Sequence, residues 1–75
     1  MNFSAALIAL RDGLAVRRSG WNGKHYLTVQ LPDEHSANTE PYIVIHPEGG
    51  GRTPWVASHA DLLRDDWDLF GAPDA

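Results

Sequence analysis

The 75-residue chain contains no cysteine, so no disulfide can staple it and apolar burial must hold the fold alone. That is a tight constraint, because a chain of this length buries only about 60% of the surface it exposes when unfolded. Yet 43% of its residues are hydrophobic, three of them tryptophan. Self-association is the usual way for so short a chain to cover that much apolar surface. A single domain over residues 1–75 that assembles as a homo-oligomer is therefore expected. With no disulfide to form, a reducing compartment fits better than secretion. The apolar run in MNFSAALIAL lacks the basic segment and cleavage site of a leader. No run approaches the ~18 apolar residues of a membrane span. A soluble, intracellular protein is expected.

Periodicity supplies the elements. Phe3 to Gly13 reads as a helix, with Ser4 as N-cap and Phe3 and Ile8 at the spacing of a hydrophobic staple. Phe3, Leu7, Leu10 and Leu14 recur at helical spacing, and Gly13 supplies the left-handed stop. Leu14 to Arg18 is a short strand ended by Ser19-Gly20. His25 to Leu31 alternates, with Leu27, Val29 and Leu31 on one face and Tyr26, Thr28 and Gln30 on the other. Asn22-Gly23 between the two runs predicts a hairpin turn. Residues 32–41, PDEHSANTEP, read as a polar, mobile loop between prolines.

The β-branched Tyr42–His46 run, closed by Pro41 and Pro47, is the clearest strand. Glu48 to Gly51 turns the chain, and Thr53 to Val56 returns with Pro54 suited to an edge. Ser58 and Asp61 cap a short helix running to about Arg64, with Asp61 against its N-terminal dipole. Asp66 to Phe70 alternates and closes the sheet, and the last five residues are expected to fray. The expected fold is α+β: a small antiparallel sheet of about five strands, an N-terminal helix and a short second helix.

The net charge of −4 conceals a split. Residues 1–30 hold four cations against one acid, a net +3, whereas residues 31–75 hold two against nine, a net −7. So acidic a chain is poorly suited to a long polyanion such as DNA or RNA, but a small anion can still meet the local cations Arg17, Arg18 and Lys24. The four histidines, His25, His35, His46 and His59, fall in four separate elements without the spacing of a zinc site. His59-Ala60-Asp61 is a weak partial match, and no metal or cofactor is expected. Asp61, Asp65, Asp66 and Asp68 offer carboxylates for acid–base work, but with no companion motif a solvated acidic face is the default. The Glu48–Arg52 glycine run lacks the Lys-Ser/Thr of a phosphate loop and reads as a turn.

The tryptophans say more. Trp21 follows a glycine in a turn, Trp55 follows a proline, and Trp67 sits on an alternating strand. Trp67 fits a core. For Trp21, packing and ligand stacking are equally supported. Stacking on a base is worth about 1–3 kcal/mol, and a neighbouring arginine can grip phosphate through two parallel hydrogen bonds.

The segments MNFSAAL…L…G…VRRSGWNGK, PYIVI and PWVASHADLLRDDW together resemble the small phage-encoded anti-Thoeris proteins of the second type. That family was earlier known only as a domain of unknown function. The resemblance runs from Met1 to about Trp67, and Gly20-Trp21-Asn22-Gly23 and Pro54-Trp55-Val56-Ala57-Ser58 are its most specific parts. It implies a sponge and not an enzyme. Members hold glycocyclic ADP-ribose signals made by bacterial TIR-domain proteins, unaltered, so that the effector is not activated. They act in the host bacterial cytoplasm during infection. The resemblance further implies a homotetramer with pockets between subunits and, in some members, separate pockets for cyclic dinucleotides.

Carried onto this sequence, the resemblance makes Trp21, Asn22 and Lys24 ligand-binding, with Trp21 on adenine or a ribose face and Asn22 on a base edge or ribose hydroxyl. Arg17, Arg18 and Lys24 are candidates for the pyrophosphate. Trp55, Ser58 and Asp61 follow from the second motif, with Asp61 accepting from ribose hydroxyls or the adenine amine and the Ser58 helix start facing an anion. Beside these stand plainer roles. Asn22-Gly23 is explained by a turn, Ser58 and Asp61 by a capping box, and Asp66 by backbone groups where the helix meets the last strand. Arg17 and Arg18, being adjacent on a strand, face opposite ways. A hydrolase acting on the same signal and a small structural or partner-binding phage protein remain as other function classes.

Overall fold

The computed structural model describes residues 1–32 and 40–71. The chain runs α1 (Phe3–Arg11), β1 (Val16–Arg18), β2 (Tyr26–Gln30), β3 (Tyr42–His46), β4 (Thr53–Pro54), α2 (His59–Leu63) and β5 (Trp67–Leu69). The strands form one antiparallel sheet in the order β4-β3-β2-β1-β5. The expected α+β architecture of five strands and two helices is therefore present.

Local chemistry sets each end. Asn2, not Ser4, caps α1: its backbone is extended and its Oδ1 accepts the Ala5 N–H at 3.0 Å. Asparagine is as good a cap as serine, and Phe3 is already helical. That displaces the expected staple. Phe3 packs on Trp55 and Trp67, while Ile8 is 63% exposed. At the other end Gly13 takes φ +89°, and the Leu14 and Gly13 N–H groups bond back to Ala9 and Leu10. This pair of bonds is a Schellman stop.

The expected Asn22-Gly23 hairpin turn needs correction. β1 and β2 do pair, Val16 opposite Leu27, but residues 19–25 form a longer loop between them. Gly23 alone takes a positive φ, +74°, so the two-residue turn that needs left-handed backbone at both positions is not formed. Pro54 lies on the edge strand, as its missing N–H requires. The opposite edge, β5, is covered by Met1, whose carbonyl accepts the Trp67 N–H and whose amino group donates to the Trp67 carbonyl. The expected loop at 32–41 falls, for residues 33–39, outside the described residues, as does the expected fraying beyond Gly71.

α1 crosses one face of the sheet and forms the core there. Ala6, Ala9 and Leu10 pack on Val16, Leu27 and Trp67, all buried. Leu31, expected on the same face as Leu27, lies past the end of β2 and is 66% exposed. Strand alternation puts Arg18 on the core face and Arg17 on the other, as expected. There Tyr26 stacks between His46 at 4.5 Å and Phe70 at 4.6 Å, and the Arg17 guanidinium lies 6.0 Å from the Phe70 ring centre.

Candidate functional site

The loop 19–25 is held from several sides. Arg17 Nη2 donates to the carbonyls of Trp21 at 3.2 Å and Gly23 at 2.7 Å, so the chain closes over its own cation. Asp66 Oδ2 accepts the Gly20 N–H at 3.1 Å, and Glu48 Oε1, from the β3–β4 turn, accepts the Lys24 N–H at 3.1 Å. Both contacts depend on glycine. A Cβ at Gly20 would sit 2.7 Å from Asp66 Oδ2, and one at Gly23 would sit 2.7 Å from Glu48 Oε1.

Behind the loop lies an ion network. Arg18 Nη1 donates to Asp61 Oδ1 at 2.8 Å, and Arg18 Nε to Asp66 Oδ1 at 2.8 Å. Asp61 is buried and also accepts the Trp21 indole N–H at 3.2 Å and the Ser58 N–H at 3.0 Å. Burial pushes the Asp61 carboxyl up, but the Ser58, Arg18 and Trp21 donors outweigh it and hold the group below the usual carboxylate range. The Arg18 hydrogen bond, above all, lowers the Asp66 carboxyl, against some desolvation. Arg18 is raised in turn by its bonds to Asp66 and Asp61.

Three aromatic rings meet on Trp67. Trp67 is fully buried at the centre, its indole N–H given to the Asp61 main-chain carbonyl at 2.9 Å. Trp21 meets it edge-on at 5.3 Å, and Trp55 edge-on at 6.0 Å. Trp21 also faces His25 at 5.8 Å. Trp21 and Trp55 are both half-buried, so each keeps part of its surface open.

Of the eight residues singled out from sequence, five converge here: Arg18, Trp21, Trp55, Ser58 and Asp61. Asn22 and Lys24 project from the loop, both exposed, and Lys24 makes no ion pair among the described residues. Arg17 is under the loop on the opposite face of the sheet, its Nε buried without a hydrogen-bond partner among the described residues.

The geometry gives four of these residues partners within the chain. Arg18 and Asp61 are ion-paired to each other, and Arg18 also to Asp66. Arg17 is engaged by carbonyls and not presented outward. At the Ser58 helix start, the Ser58 and Asp61 N–H groups are taken by the capping box of a helix only five residues long. Asp61 and Asp66 are likewise not a solvated acidic face but ion-pair partners. Sequence reasoning did not single out Glu48 or Asp66 as loop anchors. They lie 24 and 46 positions along the chain from the loop residues they hold, and nothing local in the sequence marks them.

A separate apolar groove of about 430 Å³, lined among others by Leu7, Val29, Leu31 and Tyr42, lies at the far end of β2. It contains none of the residues singled out.

The chain matches the Tad2-like family model, the Thoeris anti-defense 2-like domain, over residues 1–70. It is 34% identical over 83 aligned residues to Thoeris anti-defense 2 of Bacillus phage SP01, covering 92% of this chain and 93% of the phage protein. The match takes in all the elements and loops just described, from Met1 through β5. On both grounds the chain belongs to the Thoeris anti-defense 2-like family, and its role is an anti-defence one.

Proposed function

We propose that this protein is a sponge: it binds a cyclic nucleotide immune signal, glycocyclic ADP-ribose made by TIR proteins, and keeps it from the effector without cleaving it. Family membership over residues 1–70 is the observation that carries this reading. The local geometry supports it. A half-buried Trp21 offers part of its ring for stacking, while exposed Asn22 and Lys24 beside it supply an amide and a cation. Trp55 contributes a second aromatic surface on the same buried Trp67.

Holding is favoured over hydrolysis by the state of the nearest carboxylates. A general acid works with a raised pKa near the operating pH. Asp61 and Asp66 are shifted the other way, down, by their donors. The active form in this reading is a homotetramer in the infected host's cytoplasm, with the ligand enclosed between subunits and cyclic dinucleotides as a second ligand class. Sub-nanomolar capture needs about 12 kcal/mol of binding free energy, which enclosure on several sides can supply.

Calorimetric titration with glycocyclic ADP-ribose tests the reading. Trp21→Ala should abolish binding while the assembly state in sedimentation stays that of the wild type. If the variant binds as the parent does, or the parent shows no binding, the reading fails.

A further inference from the structure

Asp61 ties three parts of the chain together. Its Oδ1 accepts both the Trp21 indole N–H at 3.2 Å and Arg18 Nη1 at 2.8 Å, and its Oδ2 accepts the Ser58 N–H at 3.0 Å. It is only 8% exposed, so this bond to Trp21 is shielded from competing water. The other arm of Arg18 fixes Asp66, which in turn holds the Gly20 N–H at 3.1 Å. The residue before Trp21 and the far end of its ring are thus anchored by one ion network. Arg17 anchors its carbonyl at 3.2 Å from the opposite side.

A half-buried tryptophan on a loop without such anchors would occupy several rotamers, and a ligand would have to order it on binding. That ordering subtracts from affinity, whereas a ring already fixed does not incur it. The engaged N–H has a second consequence. The indole can offer its face and edge to a ligand, but not its only hydrogen-bond donor.

We propose that Asp61 and Arg18 are positioning residues, which hold the Trp21 indole in one orientation before the ligand arrives and do not contact the ligand themselves. The proposal rests on the reading of Trp21 as ligand-facing. It reassigns two residues expected from sequence to meet the ligand directly.

Trp67 supplies an internal control. Its indole N–H donates to the main-chain carbonyl of Asp61 at 2.9 Å, a bond that survives replacement of the Asp61 side chain. In nitrogen–proton spectra of the ligand-free full chain, Asp61→Ala should move the Trp21 indole signal and speed its hydrogen exchange about tenfold or more, leaving the Trp67 signal in place. Affinity for glycocyclic ADP-ribose should fall about tenfold. Asp61→Asn keeps an Oδ1 acceptor for the Trp21 indole but turns its amide NH2 toward the Ser58 N–H, and should restore both in part. In a Trp21→Phe background, which lacks the donor, Asp61→Ala should cost no further affinity.

An unmoved Trp21 signal in Asp61→Ala overturns the proposal. So does wild-type affinity despite a moved signal, or an undiminished loss in the Trp21→Phe background. Should Asp61→Ala lose the Trp67 signal as well, it has unfolded and Trp21→Phe alone decides. That variant must then bind about tenfold more weakly with the Trp67 signal intact, and wild-type affinity there overturns the proposal. If the wild-type chain does not bind the probe at all, the sponge reading fails, and the indole signals alone judge whether Asp61 holds the Trp21 ring.

Discussion

Gly20 and Gly23 are small because carboxylates stand where their side chains would be. Alanine at Gly20 would place its Cβ 2.7 Å from Asp66 Oδ2, and alanine at Gly23 would meet Glu48 Oε1 at 2.7 Å with φ at +74°. Gly20→Ala should therefore push Asp66 off both Arg18 and the Gly20 N–H, lowering stability by about 1 kcal/mol or more. Gly23→Ala should cost about 1–2 kcal/mol from the left-handed backbone alone. Urea midpoints of the two variants check both values. Alanine at Gly49, where nothing lies within 4 Å and no positive φ is recorded, serves as the reference and should change little. The sequence marked Gly20-Trp21-Asn22-Gly23 as a turn, but propensity alone favoured the two-residue type. The longer loop is decided by side chains that reach in from Glu48 and Asp66, and no local signal announces them.

The second helix is five residues long and has little propensity of its own, so its capping box and ion network must stabilise it. Ser58 and Asp61 showed the box in sequence, because a cap needs only residues three apart. The partnership of Arg18 with Asp61 and Asp66 did not show, since the partners lie 43 and 48 positions away. Only the folded sheet brings β1 beside β5 and carries Arg18 under the helix. Asp61→Ala removes the cap's return bond and leaves the Arg18 and Trp21 donors with one acceptor fewer, and should cost about 2–3 kcal/mol in a urea titration. The same network predicts acid sensitivity. Asp61 and Asp66 both titrate lower in the folded protein than in the unfolded chain. Their contribution is thus complete above the unfolded carboxylate value of about 3.9 and is lost as pH falls from there through the folded values. Stability should hold between pH 7 and 5 and drop below about 4, and Asp66→Asn should flatten that drop.

For the molecule as a whole, residue patterning was enough to give the number and antiparallel sense of the strands and the helix before them, but not the sheet order β4-β3-β2-β1-β5 or the face that α1 covers. It could not give what covers the rest. Val56, Leu63 and Leu69 are 88%, 84% and 53% exposed in the single chain, and the sheet face opposite α1 carries a half-buried Phe70–Tyr26–His46 stack. In the proposed tetramer, this open apolar surface is what the neighbouring subunits would cover. Native mass spectrometry should find a tetramer, and a monomer at micromolar concentration would contradict that part of the proposal. The sponge reading itself is tested most directly by what comes back out of the protein. Glycocyclic ADP-ribose is incubated with an excess of the chain, the complex is separated from free ligand, and the protein is heat-denatured before the released nucleotide is weighed by mass spectrometry. A sponge returns the intact signal in proportion to the protein that carried it. Hydrolysed products, or no nucleotide carried through the separation, would contradict it.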